Sequence, residues 1–574
     1  MILIDKKRLL LSDRIFWGIL SILLLGAALR FGDIGDKGIV DSDSGVYAGE
    51  AKALYLPFVW VVQGASSDDG SGFSLGDLKR YMQDRGAVFP YVGKPGHDIL
   101  IALSYFIWGL HDYAVLFPSA LLGTLAILFV YLIGRDLFGT AAGLLGALVL
   151  AVSKWAVVFS LHGLAEMNSA FFGLLAVYFY LKALATPSRR KSMLVLAGLS
   201  LGFSITVNYK MLVLIPPFLG YEIVLLYRSY KKTGRQCLGR PLIFLGMMVL
   251  PVFVMQIPFW IFSRLGMLRG LIEENVSRGF TTYFDALARR WAGNTTADTA
   301  IYSMTYKGAL LNFDLMYRFE GAFVFLAILV GVVLLLVGLR RRFEFGRFVV
   351  VSHLTYMLLL WSIFTGGHPS VKAPVMVLPL VALAAGVGIG ELAEKVSAKM
   401  HRLSARHLQV AAGVFVLIYG VYNSWEVVTY KSHYKLAVER MIPYIKSNDG
   451  VLTGDHGSIS SVVKFYFGNA VHKNPSLAKY QQTGMDKSDS DYLFLSMFWV
   501  YRRPKSHERY LEKIAGLNPI FEFDNPYLHM FPLALETKHV LKDIEATRRK
   551  PDFDKLRVYD LRLGEHNRAP KIRL

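Results

Sequence analysis

Residues 41–51 read Asp-Ser-Asp-Ser-Gly-Val-Tyr-Ala-Gly-Glu-Ala and directly follow the first long hydrophobic segment of the chain. Asp41 and Asp43 alternate with small residues, so the backbone there can approach a ligand closely. Tyr47 and Ala51 lie four and eight residues after Asp43, which places all three on one face of a helix. A carboxylate that opens a helix where the chain leaves a bilayer fits a general base, and it also fits a helix-capping acid.

The composition is that of a membrane protein with a soluble part. Of the 574 residues, 54% are hydrophobic and 13% are aromatic. The formal net charge is +20, but the lysines and arginines form short clusters between apolar segments. Such clusters are typical of cytoplasmic loops and of contact with anionic lipids, so we expect membrane lipids and no nucleic acid as partners. The single cysteine, Cys237, excludes an intrachain disulfide and a cysteine metal cluster.

Hydropathy predicts eleven transmembrane helices if each span takes about 20 apolar residues. The predicted spans are 15–29, 113–134, 141–160, 167–184, 193–208, 211–227, 241–263, 321–339, 348–364, 373–391 and 408–427. The alternation of basic clusters between them places the N-terminus in the cytoplasm and the C-terminus outside. Basic residues precede the first span as in a signal peptide, but no clear small-residue cleavage site follows, so we expect an uncleaved span.

This orientation places the loops 30–112 and 264–320 on the outer side, together with the acidic stretch. The apolar segment 98–109 is only twelve residues long, so we expect a re-entrant or interfacial helix there. The loop 264–320 contains seven basic residues. They form either a solvated, headgroup-facing surface or a phosphate site, for which Arg264 and Arg269 are the candidates.

The composition changes from about residue 430, where apolar runs shorten and charged helical patterns alternate with strand-like ones. Strands are expected at 451–453, 492–500, 520–523 and 556–561, and helices at 434–446, 457–467, 506–515 and 535–549. The predicted organisation is a polytopic helical membrane domain, residues 1–428, followed by an extracytoplasmic α/β domain, residues 429–574.

Five short motifs resemble the lipid-linked sugar transferases of the GT-C superfamily. They are Asp43 to Ala48, Lys94 to His97, Phe117 to Gly123, Leu132 to Gly139, and Leu164 to Glu166. The pattern is most similar to the branch of glycosyltransferase family 39 type, which contains protein O-mannosyltransferases and aminoarabinose (lipid A) transferases. The resemblance is clearest over about residues 15–185. Each motif alone is unspecific, but their order and their predicted place on the outer side make the combination specific.

The resemblance implies a GT-C fold with about 11 transmembrane helices, set in the plasma (inner) membrane. It also implies inverting transfer of a sugar from a polyprenyl-phosphate donor to a hydroxyl of a glycan, lipid or protein acceptor on the outer face. The chain departs from the family at Ser44, where Glu is frequent, and at His162, where Arg is frequent. Sugar and acceptor therefore stay open.

Such a transfer needs a base, a cation for the leaving phosphate and groups that orient the substrates. Asp43 is the candidate base, and partial desolvation at the membrane boundary is expected to raise its pKa. Lys94 is the candidate cation, with Arg264 and Arg269 as alternatives. Glu166 is the candidate second catalytic carboxylate. Its alternative roles are a helix cap or a salt bridge with Lys154 or Lys210.

Asp41, Tyr47, His97 and His162 are expected to orient the substrates. The two histidines could also hold a divalent cation, but their spacing has no metal signature, so no cofactor is assigned from the sequence and a divalent cation stays open. No glycine-rich nucleotide loop stands between a strand and a helix, which fits a lipid donor. The alternative function is a transporter or flippase of lipid-linked saccharides, although transporters usually place ionisable groups near the bilayer midplane.

Overall fold

The computed structural model describes most of the chain between residues 6 and 563. The described residues are 6–40, 42–64, 75–87, 94–233, 238–255, 257, 306–341, 343–363, 372, 374–400, 403–445, 449–453, 458–473, 481–483, 491–502, 504–524, 546–547 and 549–563. Asp41, Arg264 and Arg269 lie outside them, as does most of the loop 264–320.

Sixteen α-helices form most of the first part of the described chain. They are α1 (Lys6–Phe31), α2 (Ile34–Lys37), α3 (Ser42–Gly64), α4 (Leu75–Asp84), α5 (Pro95–Trp108), α6 (Asp112–Phe138), α7 (Thr140–Val152), α8 (Lys154–Leu161), α9 (Ala165–Ala185), α10 (Arg190–Val207), α11 (Ile215–Thr233), α12 (Gly239–Val254), α13 (Tyr306–Arg341), α14 (Phe345–Ile363), α15 (Leu378–Lys399) and α16 (Ala405–Thr429).

The described helices confirm a polytopic membrane protein. Eight segments are long and apolar enough to cross a bilayer, and α7 with α8 makes a ninth if this pair, bent by 53°, is one span. Two shorter apolar helices, Gly239–Val254 and Phe345–Leu358, lie where two further spans were predicted. Each of the eleven predicted positions thus holds an apolar helix, although only eight or nine of these are long and apolar enough to cross a bilayer.

The bend between α7 and α8 is held by side chains from other helices. Arg30, at the end of α1 and fully buried, donates hydrogen bonds to the carbonyls of Leu150 and Ala151, at 3.1 and 2.9 Å. These bonds satisfy carbonyl groups that the end of a helix leaves without partners. The bend therefore belongs to the packed structure and directs α8 towards the turn before α9.

The last part of the described chain forms a five-stranded sheet with helices. Its elements are α17 (His433–Met441), β1 (Gly450–Thr453), α18 (Ser458–Lys473), β2 (Gln481–Thr483), β3 (Tyr492–Ser496), α19 (Met497–Arg502), α20 (Pro504–Lys513), β4 (Phe521–Asp524) and β5 (Lys555–Asp560). The strand order is β2-β1-β3-β5-β4. The pairs of β1 with β2 and with β3 are parallel, and β5 pairs antiparallel with β3 and β4.

Three of the four predicted strands are confirmed to within one residue at each end, and the fourth is partly wrong. The run 492–500 is a strand only as far as Ser496 and continues as α19. A continuous apolar run does not distinguish a strand from a buried helix, which explains the error. The short strand β2 carries no apolar alternation and was not predicted. The predicted helix 535–549 falls almost entirely outside the described residues.

The sheet-bearing part packs directly on α3 through α18. A Cβ atom added to Gly45 would lie 2.8 Å from the backbone nitrogen of Val462, so only glycine permits this approach. Further along α3, the buried Lys52 donates to the carbonyls of Arg85 and Phe465, at 2.9 and 3.2 Å. The membrane part and the α/β part therefore share a contact along the helix that begins at the acidic stretch.

Candidate active site

The candidate site lies where several helices begin. Asp43 is in the first turn of α3, and Glu166 is in the first turn of α9. Lys94 precedes α5, whose first residue is Pro95, a position that proline favours because its ring presets the helical backbone angle. Both acids are placed where the helix dipole stabilises negative charge. Asp43 thus occupies the helix start that both interpretations of the acidic stretch predicted.

Close packing fixes α5 in this position. A Cβ atom on Gly96 would lie 2.8 Å from the backbone nitrogen of Val207, at the end of α10. Asn208 follows directly, and its side-chain amide reaches the site from there. The Lys-Pro-Gly sequence therefore supplies a cation, a helix start and a contact surface in three consecutive residues.

Asp43 forms an ion pair with Lys372, with 2.5 Å between Oδ2 and Nζ. The Asp43 side chain is 45% exposed and that of Lys372 is 24% exposed. The Lys372 ammonium is the main cause that lowers the pKa of Asp43 to about 2, and Lys94 and Lys210 add to the effect. The expected upward shift was wrong, because the nearby positive charges outweigh the desolvation that would raise the pKa.

Glu166 pairs with Lys94 at 3.1 Å, and neither Lys154 nor Lys210 takes that place. The Glu166 side chain is 1% exposed. Its Oε1 also accepts a hydrogen bond from Nδ2 of Asn208 at 3.2 Å. Its Oε2 is buried and accepts no hydrogen bond from the described residues, so this oxygen can bind a substrate hydroxyl.

His97 is fully buried and uses both ring nitrogens. Nε2 lies 3.0 Å from the carbonyl of Gly163, and Nδ1 lies 2.9 Å from the side-chain amide of Asn168. Burial lowers the pKa of His97 to about 4, so the ring is neutral at physiological pH. A neutral ring that donates from Nε2 and accepts at Nδ1 satisfies both contacts. His97 therefore fixes the turn before α9 and has no free nitrogen for a metal.

Tyr47 and Lys94 complete this wall of the site. The ring of Tyr47 packs edge-on against His97, with 5.1 Å between centroids. Nζ of Lys94 lies 4.8 Å from the centroid of the same tyrosine, a cation–π distance. The ring of Tyr47 therefore contacts both Lys94 and His97 and helps to hold them in position.

His162 and Ser44 join α3 to the turn before α9. Oγ of Ser44 donates to the backbone carbonyl of His162. The histidine side chain is buried, and burial holds its pKa well below the usual range, so it is neutral. The two positions at which the chain departs from the family pattern are thus in contact with each other.

Several residues of the candidate site were not predicted from the sequence. Lys372 and Asn208 were not identified, and Lys210 was considered only as a partner of Glu166. Lys372 is a basic residue in the turn 365–372, which the predicted topology places outside, where basic residues are less common. A basic residue in a predicted outer turn could therefore have been named as a site candidate from the sequence. Asn208 carries no comparable sequence signal.

A second carboxyl pair lies behind the site and was also missed. Glu50 on α3 and Asp98 on α5 are 1% and 4% exposed, and their side chains are hydrogen-bonded to each other. Burial raises the pKa of Asp98 to about 8. A proton held between the two carboxyl groups therefore joins the helix of Asp43 to the helix that follows Lys94.

Part of the chain is similar in sequence to known proteins. Residues 92–262 match the family model described as Dolichyl-phosphate-mannose-protein mannosyltransferase. Over 156 residues the chain is 28% identical to the Bacillus subtilis (strain 168) protein named "Putative mannosyltransferase YkcB". That match covers 26% of this chain and 21% of the relative, so the matched part is about a fifth of the relative's length.

Two solved structures share the fold. ArnT from Cupriavidus metallidurans, in a crystal structure bound to undecaprenyl phosphate, has a TM-score of 0.55 and 13% identity, covering 96% of this chain and 99% of that one. The Archaeoglobus fulgidus oligosaccharyltransferase tethered with an acceptor peptide has a TM-score of 0.50 and 14% identity, covering 88% and 72%. Nearly the whole chain therefore shares the fold of these two structures, and residues 92–262 are similar to the mannosyltransferase family.

Proposed function

We propose that the protein is an inverting glycosyltransferase that moves a sugar from a polyprenyl-phosphate donor to an acceptor hydroxyl. The charge balance of the site carries this proposal. Three ammonium groups, of Lys94, Lys210 and Lys372, interact with two carboxylates, of Asp43 and Glu166. The excess of one positive charge matches the single negative charge of a phosphodiester-linked sugar, so a bound donor neutralises the site.

The proposed reaction moves a proton to Asp43 and leaves negative charge on the lipid phosphate. The acceptor oxygen attacks the anomeric carbon from the face opposite the phosphate, and the bond from that carbon to the phosphate oxygen breaks. The acceptor proton passes to Asp43, and the lipid phosphate leaves with one additional negative charge. Lys94 and Lys372 are placed to stabilise this charge, which is largest after the bond has broken.

The ion pair with Lys372 makes the basicity of Asp43 depend on whether the donor is bound. Without donor, the ammonium keeps the pKa of Asp43 low, so the carboxylate is ionised but a weak base. A donor phosphate competes with Asp43 for Lys372, and loss of that contact raises the basicity of the carboxylate. Asp43 therefore becomes an effective base only when the donor is bound.

The remaining roles follow from position. The open Oε2 of Glu166 accepts a hydrogen bond from a sugar or acceptor hydroxyl, and His97 with Tyr47 keeps Lys94 in place. Asp41, Arg264 and Arg269 remain candidates from the sequence for substrate orientation and phosphate binding. The ArnT structure holds undecaprenyl phosphate, which supports a polyprenyl-phosphate donor here as well.

We place the site on the outer face of the plasma (inner) membrane, with the N-terminus in the cytoplasm. The α/β domain, residues 429–574, then lies outside the cytoplasm and helps to position the acceptor. We leave the acceptor as a glycan, a lipid or a protein; the Archaeoglobus fulgidus structure holds an acceptor peptide.

A reconstituted assay tests the proposal. The purified full chain in liposomes is given a set of polyprenyl-phosphate sugars and an extract of envelope glycans, lipids and proteins. We expect loss of one donor, release of polyprenyl phosphate and a matching mass increase in one acceptor class. Comparative mass spectrometry of cells with and without the chain identifies the same product. Unchanged donors in the assay, together with identical lipids and glycans in the cells, contradict the proposal.

A further inference from the structure

A cavity of about 750 Å³ lies on α16, away from the residues assigned to the candidate site. Its lining combines two opposite charges with aromatic and aliphatic groups. The lining includes Lys154, Leu417, Ile418, Tyr422, Trp425 and Glu426. The cavity therefore has polar and apolar parts side by side.

The two charged residues of the cavity have no close ion-pair partner among the described residues. Lys154 opens α8 at the bent span, and Glu426 lies one turn before the end of α16. Lys154 interacts electrostatically with Glu320, whose Oε1 already accepts from Oγ of Ser153 at 2.6 Å and from the backbone of Trp155 at 3.3 Å. Charges in a spanning segment are costly unless a partner or water stabilises them.

The aromatic residues indicate what covers the cavity. Tyr422 is 82% exposed and Trp425 is 60% exposed on a helix that spans the membrane. Exposed tyrosine and tryptophan near the end of a spanning helix are typical of the headgroup level of a bilayer. Ile418 is 65% exposed one turn further into the helix, where acyl chains are expected. This pattern of exposure favours a lipid as the neighbour of this face.

We propose that the cavity binds the headgroup of a zwitterionic aminophospholipid. The lipid phosphate pairs with Lys154, and its primary ammonium pairs with Glu426 beside the face of Trp425. The acyl chains lie along Leu417 and Ile418. An anionic lipid without an ammonium group satisfies Lys154 but leaves Glu426 facing a like charge, so the cavity discriminates between the two lipid classes.

The cavity is separated from the candidate active site by the length of α8. Lys154 is the first residue of this helix, and His162 and Gly163, which contact Ser44 and His97, follow its last residue. Lipid binding can thus be measured independently of sugar transfer, and the inference does not depend on the proposed function.

Native mass spectrometry of the purified full chain tests the site with two probes, phosphatidylethanolamine and phosphatidylglycerol of identical acyl chains. The wild type is expected to retain the ethanolamine lipid more strongly. Lys154→Gln should weaken both lipids about tenfold, the effect of losing one charge-assisted contact. Glu426→Gln should abolish only the preference, leaving the glycerol lipid bound equally well or better.

Matched controls separate a site from general lipid adhesion. Lys231→Gln removes a lysine that also lies beside a tyrosine, 5.2 Å from the ring of Tyr227, and Glu391→Gln removes an exposed glutamate near the end of another span. Neither should change retention. Equal retention of both lipids by the wild type, or equal losses in controls and cavity variants, overturns the proposal.

A second copy of the chain is the competing occupant of this face. Tyr422→Cys in a Cys237→Ser chain leaves one thiol, so oxidation reports whether two copies meet there. Disulfide-linked dimers formed in nanodiscs would show that protein, not lipid, covers the cavity. Monomers that keep the lipid preference support the assignment.

Discussion

Nζ of Lys372 lies 2.5 Å from Oδ2 of Asp43 and connects positions 329 residues apart in the sequence. This contact joins the turn before α15 to the first turn of α3. It makes the protonation of the candidate base dependent on a residue from the second half of the membrane domain.

Asp43→Asn keeps the volume of the side chain and removes its basicity. We expect turnover to fall by about two to four orders of magnitude, the range for loss of a general base, while the fold remains intact. Single-turnover transfer and the melting temperature measure the two effects. Asp36→Asn, at an exposed aspartate paired with Lys431, is the matched control and should transfer normally. Normal transfer by folded Asp43→Asn would move the role to Asp41 or dismiss it.

Lys372→Gln should raise the pKa of Asp43 from about 2 towards its ordinary value of 3.8. The sign follows from the lowered pKa: the ion pair stabilises the ionised form above the ordinary value, and this contribution is lost as pH falls towards 2. The acid limb of kcat/KM, which reports the free enzyme, should therefore move to higher pH in Lys372→Gln. Lys372→Arg should keep the wild-type limb. An identical profile for wild type and Lys372→Gln would show that the pair does not control Asp43.

Lys94→Gln should lower both the maximal rate and donor affinity, because a phosphate contact strengthens as charge develops on the leaving group. It also leaves the Glu166 carboxylate without its partner, so the melting temperature should fall. The double variant Lys94→Gln with Glu166→Gln removes both charges and should recover much of the stability without recovering transfer. Lys94→Arg should retain part of the activity. Normal transfer by folded Lys94→Gln would assign the phosphate to Lys372 or to an arginine of the loop 264–320.

The raised pKa of Asp98 predicts that the stability of the protein falls as pH rises, opposite to the effect of the lowered pKa of Asp43. Its pKa is raised to about 8, so its contribution to folding is fully present below the ordinary value of 3.8 and is lost as pH rises through 8. The melting temperature should decline between about pH 4 and pH 8 and level off above that, and Asp98→Asn, which cannot ionise, should flatten this decline. Asp36→Asn should leave the slope unchanged. The same slope in Asp98→Asn and wild type would exclude this carboxyl group as its cause.

The topology predicts that protease added to sealed right-side-out vesicles cleaves the α/β domain. Cleavage should occur after about residue 430 and leave the short cytoplasmic loops intact. An epitope at the N-terminus should remain protected in the same vesicles. Protection of the α/β domain, with cleavage only in inverted vesicles, would reverse the orientation and place the site in the cytoplasm.

The sequence predicts the membrane fold well because a spanning helix needs a long apolar run that is visible without any partner. Asp43, Lys94 and Glu166 lie in short motifs at helix beginnings, and the fold brings these predicted site residues together. The pKa of Asp43 could not be predicted, since its direction depends on Lys372, a contact that only the folded chain makes. The pair of Glu50 and Asp98 was missed for the same reason: each acid alone resembles a surface residue of an outer loop.

The absence of a side chain at Gly45 has a consequence for how this protein can be recombined. The close approach of α18 at this position means that the α/β domain forms part of the support for Asp43, two residues away. A chimera that exchanges only residues 429–574 with a relative would bring an unmatched helix against α3. A chimera with an exchanged α/β domain should fold and remain active only when residues 39–64 come from the same relative. The two segments, distant in the sequence, must therefore be exchanged together.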